Sequence, residues 1–176
     1  PAEEWSVIKS ENLTVAEMFT GYAMILAAVP AVAGFIGYTL IGYSVEGVHI
    51  GGSFGEGLVY AALTYALSLA SVYILAIIID ALGPSFGCRK DFPTALKITV
   101  FSFTASWVAG IFRILPALSW LSILGLYSLY LMYLGLRELK DVPQDKMLGY
   151  YSLSLIAAVV IWMLVGTIVG LIVAGS

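Results

Sequence analysis

Ionisable side chains inside or beside apolar stretches are where this sequence could do chemistry, because such groups are costly in hydrocarbon. Asp80 lies near the end of one long apolar stretch, and Lys97 sits about one helical turn inside the next. An acid and a base so placed could pair across neighbouring helices. The plainer reading is an interfacial Asp and a snorkelling Lys. Arg113 closes the stretch that Lys97 begins. It suits a lipid phosphate, helix-end carbonyls or a glutamate such as Glu56 or Glu46, with interface anchoring as the plainer reading. Thr99, Ser102, Thr104 and Ser106 precede Trp107. Such hydroxyls could line a polar path, or bond back to their own or a neighbouring helix. Tyr127, Tyr130 and Tyr133 recur every three residues, either offering hydroxyls to a ligand or packing as an aromatic face.

The single histidine, His49, lies near Glu46 and Glu56. An imidazole with two carboxylates can hold a divalent metal. The segment is glycine-rich and lacks an i, i+4 ligand pair, so a solvated histidine is expected and no metal site. Nothing else reads as catalytic. There is no G-x-S-x-G, no H-E-x-x-H and no phosphate-binding glycine loop before a lysine. Asp80 is the lone aspartate within the stretches, so no aspartyl pair can form there. Cys88 is the one cysteine, which excludes an internal disulfide framework and a multi-cysteine metal site. A non-enzyme without cofactor is expected.

The elements that carry these residues are set by composition. Of 176 residues, 61% are hydrophobic and 11% charged, and the mean hydropathy is +0.99. Soluble domains carry about a quarter charged residues, so lipid must cover this surface. A net charge of −3 leaves no basic footprint for nucleic acid. The stretches are apolar on nearly all sides, which in lipid only helices sustain, and strands are therefore not expected. The sequence predicts an all-α bundle of five transmembrane helices over residues 15–176, behind a polar lead-in of residues 1–14. The chain begins at Pro1 without Met, as after removal of a residue, tag or leader, and the four charges of the lead-in speak against a signal peptide within it.

In the lead-in, Trp5 and Ile8 fit one side of a short helix at the membrane surface, or a frayed terminus whose Trp touches headgroups. Thr14 and Glu17 fit a capping box that opens the first span, predicted from Val15 to Tyr43 with Pro30 inside it. Further spans are predicted from Glu56 to Leu82, from Pro93 to Arg113, from a short turn at Pro116 to Leu139, and from Met147 to Ala174. Some twenty residues at about 1.5 Å each cross a hydrocarbon core of roughly 30 Å. Ala62, Ala66 and Ala70 form a small-residue stripe for helix packing, and Gly166 and Gly170 form a GxxxG that permits close helix contact within or between chains. Residues 44–55 read as a glycine-rich loop.

Lys9, Arg89, Lys90, Lys97, Arg137, Lys140 and Lys146 fall on one side of such a bundle and Arg113 alone on the other. The positive-inside rule then places the N-terminus in the cytosol and the C-terminus outside. The sequon Asn12-Leu13-Thr14 should accordingly stay unmodified.

From Phe86 to Tyr151 the sequence resembles the Yip-domain family, the Ypt-interacting membrane proteins. The matching features come in order: Phe86-Gly87, Asp91-Phe92, Ala95-Leu96-Lys97, Ile114-Leu115-Pro116, Tyr127 to Leu131, Tyr133 to Leu136, Val142-Pro143, Lys146 and Gly149-Tyr150-Tyr151. Cys88-Arg89 departs from the pattern where more glycine is expected. The resemblance implies five spans with a cytosolic N-terminus. Eukaryotic members bind Rab-type GTPases through a long cytosolic N-terminal region. Only about 14 residues precede the first span here, so GTPase binding is not expected, and the compact form is similar to the prokaryotic branch.

Two functions follow. The first is a non-enzymatic scaffold or adaptor of the cell membrane, in contact with lipids, membrane-protein partners or further copies of itself. The alternative is a small-solute or ion transporter or channel subunit acting as an oligomer, with Asp80 and Lys97 as an inner gate and the hydroxyls of the third span along its path.

Overall fold

The computed structural model describes residues 2–45 and 48–174, the latter to the end of its last helix. Helix α1 (Ala2–Ser10) is followed by α2, a continuous rod over Val15–Ile41. The predicted capping box is present: the Thr14 hydroxyl accepts from the Glu17 amide, and the Glu17 carboxylate accepts from the Thr14 amide. Widened π turns, Phe19–Ala23 and Ile36–Ile41, flank the α-helical segment that contains Pro30. Gly42, at φ 62, ends the rod, a backbone conformation that favours glycine.

A correction follows. Where a loop without strands is expected, Tyr43–Val45 (β1) pairs antiparallel with Val48–Ile50 (β2), in the register Tyr43↔Ile50 and Val45↔Val48. The expectation treated only strands that must survive in lipid. A short hairpin between helix ends pairs its own backbone and needs no span.

Helix α3 (Phe54–Leu82) opens on a second capping box, Ser53 with Glu56, and runs into a 3-10 turn, Gly83–Phe86. Helix α4 (Phe92–Ala109) is capped by the Asp91 carboxylate, which accepts from the Thr94 amide, and tightens into a 3-10 turn, Gly110–Ile114. The chain then returns through a long 3-10 segment, Pro116–Leu126, into α5 (Tyr127–Leu139). Helix α6 spans Gln144–Ala174. Four of these stretches are long and apolar enough to cross a membrane: 15–41, 54–86, 92–114 and 144–173.

The returning segment lies antiparallel to α4. The Ser106 hydroxyl donates to the Gly125 carbonyl and bonds Ser128 Oγ at 2.8 Å, while a Cβ on Gly135 would stand 3.1 Å from Ile98. A 3-10 helix has three residues per turn, so Ser122, Gly125 and Ser128 share one face, the face turned to α4. Lipid is as apolar as a leucine, so packing here rests on close contact and not on exclusion of water. Accordingly the tightest crossings use glycine: a Cβ on Gly110 would stand 2.5 Å from Pro30, and one on Gly37 would collide with the Arg113 carbonyl.

Helix α4 is the core element, with 56% of its most apolar window buried, whereas α6 is peripheral, with 11%. The Ala62, Ala66 and Ala70 stripe, read as a surface for helix packing, is exposed and turned away from the other helices of this chain. The packed face of α3 is formed by Val72, Leu75, Ala76 and Ile79.

Candidate functional site

Polar side chains gather at two places. The first is one end of the bundle, where α1, the 83–91 connection and the 140–143 connection meet. Lys140 Nζ donates to Asp80 Oδ1 at 3.1 Å, to the Asp91 carbonyl at 3.1 Å and to the Arg89 carbonyl at 3.3 Å. An ammonium has three protons to donate, and here each has an acceptor. Asp80 Oδ1 also accepts from the Asp91 amide at 2.6 Å. Asp80 therefore pairs with Lys140, and the pairing with Lys97 weighed from the sequence does not occur. Lys97 Nζ instead donates to the carbonyls of Ile8 at 2.9 Å and Glu11 at 2.7 Å. It closes the carbonyl end of α1, where a cation is favoured.

That contact seats the lead-in. Trp5, expected to touch headgroups or fray, is 2% exposed, and its ring lies against the space left by Gly135. Lys9 completes the attachment, reaching the Glu138 carbonyl and Asp141 Oδ1. Gly87 at φ 80 and Asp141 at φ 48 turn the two connections. An open cleft of about 450 Å³ remains between residues 87–91 and 139–141. Burial would raise the Asp91 carboxyl, but the Thr94 hydroxyl and amide, with Lys140 and Arg89, together hold it below the usual range. Burial pushes the Cys88 thiol up, and the Asp141 charge adds to this against the nearby lysines.

The second place is a groove of about 740 Å³ between α3, α4 and α6. Arg113 stands at the end remote from the lysine cluster, its guanidinium donating to the Tyr60 hydroxyl at 3.5 Å. Glu56, considered as its partner, is held in the α3 cap, and Glu46 lies outside the described residues. Gly166 and Gly170 line the groove, and a Cβ on either would meet nothing within 4 Å.

The hydroxyl run of α4 is spent on the fold. Thr99 donates to the Leu96 carbonyl, Thr104 bonds the Tyr22 hydroxyl and Ser106 ties down the returning segment. Ser102 is fully buried, without a partner among the described residues. Tyr127 and Tyr130 point outward, about half exposed, and Tyr133 packs edge-on against Tyr151. Tyr130 thus faces the bundle's surroundings, away from the groove. Among the described residues no three His, Cys, Asp or Glu side chains gather as a metal site. The side chain of His49 is outside what the structure describes.

Two features escaped the sequence reading. In the sequence Lys140 stands only as one of the flanking charges, since nothing local marks its partner sixty residues earlier. The Ser122, Gly125, Ser128 spacing was visible as a period of three, and in an apolar segment it signals a small face turned to a neighbour.

The architecture is that of a multi-pass helical membrane protein. The model of the Yip1 domain matches residues 1–174, and the chain belongs to that family. It is similar to the inner membrane protein YohC of Escherichia coli strain K12, 26% identical over 92% of this chain and 85% of that protein. It is equally similar to the YohC of E. coli O6:H1. No solved structure matches.

Proposed function

We propose that this chain is a non-enzymatic scaffold of the cell membrane, which organises partner membrane proteins or further copies of itself through its lipid-facing helix surfaces. The observation that carries this reading is the use made of its polar groups. Asp80, Lys140 and Lys97 hold helices and connections together, which leaves them committed to architecture. Membership of the Yip1-domain family and likeness to an inner membrane protein support the location.

The reading includes a fifth span, residues 116–139. Its support is the pairing along α4: a segment that leaves the Arg113 end and arrives with Lys140 beside Asp80 covers the same depth as its neighbour. Five crossings put the termini on opposite sides, and the cluster of lysines favours a cytosolic N-terminus. Partners would then meet exposed helix faces such as the Ala62, Ala66, Ala70 stripe, which suits close approach. The transport reading has less support, because Ser102 is fully buried and Ser106 is occupied by Gly125 and Ser128.

A photo-crosslinking residue at Ala66 should give discrete protein adducts in native membranes, and a C-terminal reporter fusion should be active only outside the cytosol. Solute flux into vesicles holding the purified protein, abolished by Ser68→Leu, would favour transport and overturn the scaffold. A C-terminal reporter active in the cytosol would remove the fifth span.

A further inference from the structure

We infer that the groove between α3, α4 and α6 is a binding site for one glycerophospholipid, with an acyl chain laid along α3 and the headgroup phosphate at Arg113.

The walls fit hydrocarbon better than a polar solute. Hydroxyls line the groove, Thr64 among them, but several are engaged within the protein: Ser68 accepts from the Trp107 indole at 2.9 Å, Ser71 donates to the Leu67 carbonyl and Thr167 to the Met163 carbonyl. A guest meets mainly their carbon atoms, together with Leu75, Phe103 and Ile161. The groove is also long enough for an acyl chain that crosses one leaflet. The groove follows α3 from Tyr60 to Leu75, and those fifteen steps span about 22 Å along a helix. One leaflet's share of a hydrocarbon core is roughly 15 Å.

Charge sets the direction. Seven of the eight basic residues belong to the opposite end or its connections in sequence, and Arg113 is the cation at this mouth. A guanidinium pairs with phosphate through two parallel hydrogen bonds. Ala158 seats the middle of α6 in the core, and a further tie lies at the lysine end. There Tyr150 donates to the Ile79 carbonyl at 2.6 Å and stacks on Phe86. Toward the Arg113 end, Gly166 and Gly170 leave the space open. A second copy of the chain is the competing occupant of the space beside these glycines, and the test below separates the two.

The test is native mass spectrometry of the full chain released from vesicles of phosphatidylethanolamine and phosphatidylglycerol. The wild type should keep one phospholipid per chain. Arg113→Gln should lower retention at least about tenfold, the loss of a charge-assisted bond. Gly166→Phe with Gly170→Phe should abolish it while Arg113 is intact. Slow labelling of Cys88 certifies that each variant is folded. Equal retention in Arg113→Gln and wild type overturns the proposal, as does a wild type that keeps no lipid. A dimer that the double phenylalanine variant dissolves assigns the groove to a second copy and also overturns it.

Discussion

Lys140 and Asp80 form an ion pair at 3.1 Å across sixty residues of sequence, with the lysine side chain 2% and the aspartate 16% exposed. Burying two charges is costly, and the pair is tolerable because the remaining protons of Lys140 reach two carbonyls. Removing one partner strands the other. Lys140→Met should destabilise the protein by about 3 kcal/mol, and Asp80→Asn by less, since Lys140 retains the Arg89 and Asp91 carbonyls. The double variant should recover part of the loss. The thermal midpoint in detergent reads the first effect. The labelling rate of Cys88, the chain's one thiol and 8% exposed, reads the release of the connection.

Lys97 supports a second expectation. With its ammonium gone, the Ile8 and Glu11 carbonyls lose their donor. Lys97→Met should loosen α1 by about 2 kcal/mol, the scale of hydrogen bonds to a charged group. Trypsin should then cut at Lys9 at least several-fold faster, while Cys88 labelling changes little. Gly135→Leu should produce the same cleavage by expelling Trp5. Unchanged cleavage in both variants would contradict the seating of the lead-in.

Two glycines in the apolar region should behave oppositely. Gly110→Val drives a side chain into Pro30 and should cost about 1–3 kcal/mol by overpacking. At Gly21 a Cβ meets nothing within 4 Å, and Gly21→Ala should be neutral or stabilise by about 0.5 kcal/mol through helix propensity. Thermal midpoints of the two variants, measured side by side, decide the matter.

The Asp91 carboxyl lies below its ordinary value, so ionised Asp91 favours the folded state. That contribution is complete above the unfolded value of about 3.9 and is lost as pH falls through the lower folded value. The midpoint should hold down to about pH 4 and fall beneath it. Asp91→Asn should remove that part of the acid response. For Cys88, raised by burial, alkylation should keep accelerating with pH beyond about 8.5, the ordinary thiol value.

The helices were legible because their signals are local. Thr14 with Glu17, and Asp91 before Pro93, mark starts that the structure keeps, and hydropathy fixes four long apolar helices without knowledge of contacts. Partner choice was not legible. Asp80 has Lys97 nearer in sequence, yet Lys140 takes it, because α5 returns beside α4 and delivers its end to the 83–91 connection. Trp5 looked like an interfacial anchor, since nothing in residues 1–14 announces that Gly135 has left room for a ring. The alanine stripe of α3 was readable as small but not as outward-facing, because spacing does not say which side of a rod meets a neighbour in the same chain.

The seating of α1 has a bearing on biogenesis. Lys9 finds its acceptor at Glu138, 129 residues downstream. At roughly 5–20 residues per second, a ribosome takes about 6–26 s to make that interval. Helix α1 is thus made well before the residues that seat it, and it docks only once the segment ending at Glu138 has been synthesised.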